Sequence, residues 1–385
     1  MASQAPIQPS FFQRFLLPGL AFKAVVIGGG YATGRELAEF FVPSGPWGGI
    51  AAMMLAMVLF SLICIATFLF ARATGTRDYL SFFKALLGPG WVAFEAVYIL
   101  FVVLILAVYG AAAGAIGAAI FGLPAIAGTL ALMAGIILVV TFGNVSVERL
   151  FAYVSYLLYG VYGLFIVLAF TRFGDRIAAG FALPAPESGA AWAIGGATYA
   201  SYNIIGAIVI LPVVRHLTSP RDAIVAGALC GPLAMLPALL FFTAMVAFYP
   251  EIGAATLPSD VLLAGMQLPL FHLLFQLMIF SALLESGASA VHAINQRIDG
   301  AWRRRGHGGL THKARLAIAF VLLVGCMLLA GRFGLVALIA GGYRALGYLM
   351  VATFVLPLVT LGAVRIARGL GGAVPEPEPG RAPAS

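Results

Sequence analysis

The chain has 385 residues, of which 62% are hydrophobic and only 9% charged, and its mean hydropathy is +1.04. No soluble domain of this length has such a composition, so the sequence predicts an all-α polytopic membrane protein in contact with a lipid bilayer. The formal charge of +8 does not indicate a nucleic-acid partner. The basic residues are spread over short segments between apolar runs, where they report orientation in a membrane.

Ten apolar runs of membrane-crossing length follow one another, at 17–41, 47–73, 91–118, 124–143, 150–171, 191–215, 221–248, 267–297, 314–330 and 344–366. Their period is helical, not dyad, which argues against an outer-membrane barrel. A further apolar stretch, 334–340, is too short to cross and reads as a half-helix, a surface turn or an extension of its neighbours. The first ten residues carry no basic side chain and precede no cleavage-type sequence, so no removable signal peptide is expected. Arg72, Arg77, Lys84, Arg149, Arg215, Arg221, Arg297, Arg303, Arg304 and Arg305 all follow even-numbered spans. The positive-inside rule then places both termini in the cytoplasm, in a multi-pass protein of the cytoplasmic (inner) membrane.

The expected organisation is a cytoplasmic segment 1–16, a first five-helix repeat 17–171, an extracytoplasmic loop 172–190, a second five-helix repeat 191–366 and a disordered tail 367–385. An odd-numbered unit inserts its second copy upside down, which gives a five-plus-five inverted repeat.

The first span contains Val-Ile-Gly-Gly-Gly-Tyr-Ala-Thr-Gly-Arg-Glu, residues 26–36. Each glycine weakens a helix by about 1 kcal/mol relative to alanine, so Gly28, Gly29, Gly30 and Gly34 predict a break. A break inside a membrane survives only where protein or a watery cavity satisfies the freed backbone. Gly30-Tyr31-Ala32-Thr33 is echoed in the sixth span by Thr198-Tyr199-Ala200-Ser201, each preceded by glycines. Spans one and six are therefore both expected to be discontinuous. Their solute-binding candidates are Gly28, Gly29, Gly30, Tyr31, Thr33 and Gly34 with Tyr199, Ser201, Tyr202 and Asn203. The alternative is that the glycines and polar groups serve helix packing.

Charged groups inside spans need individual accounts. Arg35 and Glu39 are spaced i,i+4 and can pair, and with Glu36 they are candidates for a gate on the external pathway. Lys23 and Glu95 read as interfacial, snorkelling or ion-paired. Glu285, in Leu284-Glu285-Ser286-Gly287-Ala288-Ser289, sits near mid-span and is the candidate coupling element, by protonation or by sodium binding with Ser286 and Ser289. His292 lies at i+7 from it, a candidate proton relay, whereas His272 reads as an ordinary interface residue. Cys64, Cys230 and Cys326 lie in apolar segments without metal-ligand spacing and read as buried thiols. No nucleotide-binding loop, zincin motif or nucleophile elbow occurs, so the chain reads as a non-enzyme without catalytic residues or cofactors, a sodium ion apart.

The stretch 26–36, closed by Phe40-Phe41, resembles the first-span signature of the YkvI-type membrane proteins of the amino acid–polyamine–organocation superfamily. Further similarity lies in 199–205, in Glu285-Ser286-Gly287-Ala288 with His292-Ala293-Ile294-Asn295, and in Gly342-Tyr343 with Gly347-Tyr348. The resemblance implies the fold of the sodium-coupled leucine transporter type, with spans one and six unwound at the substrate. It also implies a sodium-like site built from carbonyls near Val26 and Gly28 together with Ser286 and Ser289. Glu285 departs from that pattern and keeps proton coupling open. The expected function is secondary transport of a small amino-acid-like solute with sodium or protons; the alternative is a non-transporting membrane sensor or partner-binding scaffold.

Overall fold

The structure is a computed structural model that describes residues 9–27, 29–142, 145–184, 186, 189–306 and 308–371. Among these residues every regular element is helical. Five helical stretches are long and apolar enough to cross a membrane: Arg35–Thr74, Tyr79–Phe121, Pro220–Phe248, Pro269–Arg303 and His312–Arg368.

The first run is divided. After a turn of π-helix at Phe12–Leu16, α1 (Leu17–Val26) stops where Ile27 leaves helical geometry at ψ 73°, α2 (Gly29–Ala32) is a single turn, and α3 (Arg35–Phe40) starts after Gly34. Gly34 has φ 78°, and a Cβ there would stand 2.8 Å from the Phe241 ring and 3.0 Å from Pro258. Both the left-handed backbone and the close approach require glycine.

Next come α4 (Gly45–Thr74), a short α5 (Tyr79–Leu87), α6 (Trp91–Phe121), α7 (Ala125–Phe142) and α8 (Val145–Phe181). α8 passes the expected boundary at 171, so much of the expected loop 172–190 is helix. The second divided run is α9 (Ala191–Asn203), a turn at Ile204 and Ile205, and α10 (Gly206–Val209), continued by 3-10 turns to His216. α11 (Pro220–Met245) follows, then α12 (Pro258–Met266), α13 (Pro269–Arg304) and α14 (His312–Ala337).

Gly334, at φ 72° and ψ 170°, breaks α14. The helix that starts beyond it continues through a π turn at Leu338–Tyr343 into α15 (Arg344–Met350) and, through further π turns, α16 (Ala363–Gly371). The stretch 334–340 is thus the beginning of the last helix and not a separate half-helix. The expected tail 367–385 is helical as far as Gly371, and 372–385 lie outside the described residues. Likewise, 12–16 of the expected N-terminal segment are helical.

Small residues set the closest helix approaches. A Cβ at Gly195 or Gly196 would overlap the carbonyl oxygen of Phe40 or Ala52, and one at Gly231 that of Met57. α4 therefore packs backbone to backbone with α9 and α11.

Contacts at helix ends fix two faces. On the face that carries both ends of the described chain, Arg14 donates from Nε and Nη2 to Asp222 at 2.9 and 2.6 Å. Thr218 and Ser219 also donate to Asp222, and Arg72 donates to the carbonyls of Leu217 and Thr218. Gly362 of the last helix lies beside Phe70 and Leu86 on the same face. On the opposite face Trp47 donates to the Phe181 carbonyl at 3.1 Å and Arg172 to that of Met266 at 2.6 Å. The expected free thiols are buried: Cys64, Cys230 and Cys326.

Candidate functional site

The breaks in the two divided helices converge on a cavity of about 410 Å³. α6 contributes Tyr98, Phe101, Val102, Ile105 and Tyr109, a stripe at helical spacing, and α13 contributes Ala282, Glu285, Ser286, Ser289, Ala290 and Ala293, a second one. The remaining wall comes from the end of α1, from Glu36 of α3, from Leu158 and Tyr159 of α8, from Tyr202, Asn203, Ile205 and Val209 across the second break, and from Tyr343. The breaks add Glu36 of α3 and Tyr202 and Asn203 at the end of α9 to the polar groups that α13 presents.

The cavity is asymmetric. Toward the face of the chain ends its wall residues are accessible: Tyr159 is 52% and Val209 46% exposed. Lys23 caps this mouth, its ammonium 4.3 Å from the Tyr159 ring centroid. Next to it Arg297 pairs with Glu95 at 2.7 Å and lies over the rings of Tyr79 and Tyr98, 3.7 and 3.4 Å from their centroids. The inner end is buried. There Glu36, 4% exposed, accepts a hydrogen bond of 2.6 Å from the Tyr202 hydroxyl. The Tyr343 ring packs against Tyr202, with centroids 4.4 Å apart.

Beyond Glu36 the opposite face is shut. The Ser259 amide at the start of α12 donates to the Thr33 carbonyl at 3.0 Å. Arg35, 3% exposed, donates from one nitrogen to the carbonyls of Gly253 and Ala255, both at 2.8 Å, and from another to Glu39 at 2.8 Å. The segment 251–259 thus forms a cover clamped to α3.

The sequence-level candidates divide accordingly. Val26, Tyr202, Asn203, Glu285, Ser286 and Ser289 line the cavity. Arg35 and Glu39 pair as their spacing predicts. Glu36 is displaced from its expected place in an external gate: it faces the cavity floor, because the turn at Thr33 and Gly34 resets the helical phase of α3. Tyr31, Thr33 and Gly34 lie behind the wall. The Tyr31 hydroxyl is 3.3 Å from that of Tyr162, which donates to the Pro237 carbonyl at 2.9 Å.

Tyr199 is buried among Phe40, Phe41, Phe60 and Tyr202, and the Ser201 hydroxyl donates back to Thr198; neither lines the cavity. The proposed echo is therefore out of register, since 198–201 lie within α9 while Tyr31 lies between two breaks. Gly29 and Gly30 belong to α2, and Gly28 lies outside the described residues. His292 is exposed and bonded to Gln296, not part of the wall; the cavity stripe runs one residue later, through Ala293. His272 bonds Asp260 at 2.7 Å, an interface role as expected. The aromatic residues of α6 and Tyr343 were missed as site residues, although the spacing 98, 101, 105 and 109 carries them on one helical face.

No protein-family model matches the sequence. The chain is 24% identical over 284 residues to the uncharacterized membrane protein YkvI of Bacillus subtilis (strain 168), an alignment that covers 72% of this chain and 80% of that one. Among solved structures it is similar to MhsT in complex with L-phenylalanine, with a TM-score of 0.55 at 16% identity over 94% of this chain and 98% of that one. A Na+-coupled sialic acid symporter, in a substrate-bound outward-open state, gives 0.59 at 13% identity over 90% and 78%. The chain has the fold of these transporters. Mhp1, a nucleobase-cation-symport-1 family transporter in a closed conformation with bromovinylhydantoin bound, gives 0.54 at 16% identity over 92% and 77%. Fold does not carry substrate. What the present site can bind follows from its own side chains.

Proposed function

We propose that the protein is a secondary active transporter that carries a small, amino-acid-like solute across the cytoplasmic membrane by alternating access, coupled to sodium or protons. In this reading the helices form a ten-span, five-plus-five inverted repeat of the amino acid–polyamine–organocation superfamily, with both termini in the cytoplasm. The unit α1 to α4 with α9 to α11 rocks against the rest of the helices. The observation that carries the reading is the one-sided cavity at two helix breaks, accessible from the face of the chain ends and covered on the other by the clamp at Arg35. One-sided access to a midplane site is the property of an end state in an alternating-access cycle. The coupling ion in this proposal uses the carbonyls of the first break, from Val26 to Gly28, with Ser286 and Ser289, or else Glu285 carries a proton.

The test is uptake into proteoliposomes across a panel of amino acids, amines and nucleobases, with sodium and pH gradients imposed separately. Accumulation driven by one gradient and lost in Gly29→Leu supports the reading. Normal uptake by correctly inserted Gly29→Leu sinks the assignment of the first break to the solute path. Sodium-driven uptake that survives in Glu285→Gln removes Glu285 protonation from the mechanism.

A further inference from the structure

From the charge and ring pattern of the cavity we infer that its inner end is a recognition site for a protonated amine, with Glu36 as the carboxylate that receives it. The inference rests on the solute cavity of the proposed transporter and adds the chemical class of its ligand.

Two independent features of the wall point the same way. The first is charge. Glu36 is 4% exposed and lies on the cavity wall together with Glu285, whereas among the described residues Lys23 is the only lysine or arginine on that wall. Lys23 stands at the mouth and is engaged by the Tyr159 ring. The nearest guanidinium on α3, Arg35, is turned away and held by Gly253, Ala255 and Glu39. A buried carboxylate with no cationic side chain beside it is costly to keep charged, and a ligand cation removes that cost. Tyr202 donates to one oxygen of Glu36, and the Asn203 side chain is a second hydrogen-bond partner of the carboxylate. A carboxylate has about four acceptor positions, so the group retains capacity for an ammonium donor.

The second feature is aromatic. Tyr98, Phe101, Tyr109, Tyr159, Tyr202 and Tyr343 contribute to a wall that otherwise consists mainly of aliphatic side chains. Ring faces attract ammonium groups and repel anions. A carboxylate at the blind end with rings along the sides therefore selects a solute with a cationic head and an apolar body, and it offers nothing to the carboxylate of an anionic one. A hydrogen bond holding α3 to α9 is the bland role for Glu36, and it differs in one testable respect. That role needs an acceptor for Tyr202, not a charge.

The experiment measures ligand-induced shifts in the melting temperature of the purified full-length protein with a panel that varies the head group: 2-phenylethylamine, L-phenylalanine amide, 2-phenylethanol and 3-phenylpropionate, supplemented with butylamine and butyrate. The expected result is stabilisation by the amines, at least tenfold weaker apparent binding of the alcohol, and no shift with the anions. Glu36→Gln, which keeps an acceptor for Tyr202, should lose the preference of amine over alcohol, whereas Glu39→Gln, outside the cavity, should retain it. Glu36→Asp provides a second probe if Glu36→Gln does not fold; it keeps the charge on a shorter arm and should keep the amine preference with weaker binding.

Wild-type protein stabilised equally by anion and amine, or by no amine in the panel, overturns the inference, as does an unchanged amine preference in Glu36→Gln. Amine binding without flux in proteoliposomes would refute transport and leave the amine site standing. Flux of an anionic solute with no amine binding would do the reverse.

Discussion

Arg35→Met should release the cover on the face opposite the chain ends. The guanidinium makes two hydrogen bonds to backbone carbonyls of the cover, those of Gly253 and Ala255, both at 2.8 Å. Hydrogen bonds involving a charged group contribute about 1.5–3 kcal/mol each. The lower figure applies here, because the freed carbonyls reach water when the cover lifts. Their sum, about 3 kcal/mol, corresponds to an increase of roughly 150-fold in the open population.

The assay is maleimide labelling of Ser259→Cys from that face. Ser259 is fully buried and its amide holds the Thr33 carbonyl, and the native Cys64, Cys230 and Cys326 are all buried, so background is low. While the open state is a minority, labelling follows its population, and Arg35→Met should accelerate it about 150-fold. Glu39→Gln should change it little, because glutamine keeps an acceptor for Arg35 and the two carbonyl bonds to the cover remain. A rate within twofold of the parent in Arg35→Met would refute the clamp.

Gly34→Ala should destabilise the folded protein by about 2 kcal/mol, from the left-handed backbone alone, with the contacts to Phe241 and Pro258 adding to it; the readout is the thermal midpoint in detergent. Arg297→Ala removes the Glu95 pair and two ring contacts on a largely buried side chain and should cost about 2–3 kcal/mol, with Arg297→Lys recovering part; an unchanged midpoint would contradict the packing described. Asp78 caps α5 through the amides of Leu80 and Ser81. Partial burial raises its pKa, but the hydroxyl and amide of Ser81, the Leu80 amide and the Lys84 charge together hold it below its ordinary 3.8. Its folded pKa is therefore depressed. The stabilisation is present above the unfolded value and is lost as pH falls through the folded one. Asp78→Ala should cost about 1 kcal/mol near neutrality and nothing once Asp78 is protonated, as read from denaturation across pH.

Much of this architecture is written in the sequence because membrane helices leave strong local signals. The glycines at 28–30 and 34 marked the first break, the polar run 199–203 ended where α9 ends, and the i,i+4 spacing of Arg35 and Glu39 gave their pair. Direction was harder to read. Each break resets the helical phase, so counting from Gly28 does not say that Glu36 turns to the cavity while Arg35 turns to the cover. On α9, Tyr199, Tyr202 and Asn203 share a face by spacing, yet only the last turn before the break reaches the cavity. The glycines at 195 and 196 looked like a second break but serve close packing against α3 and α4, a distinction that depends on partner helices distant in sequence. The cover itself, 251–259, has no charged or repeated motif of its own. It is held by backbone carbonyls and an amide, which no residue pattern announces.

The most direct test of the account is solute counterflow. Proteoliposomes preloaded with an unlabelled solute that stabilises the protein are diluted into buffer with a trace of the labelled solute. The account predicts a transient accumulation of label above equilibrium, abolished in Gly29→Leu. A solute that binds the purified protein but shows no counterflow, and no uptake under either a sodium or a pH gradient, would contradict the claim that this cavity is a stage in transport.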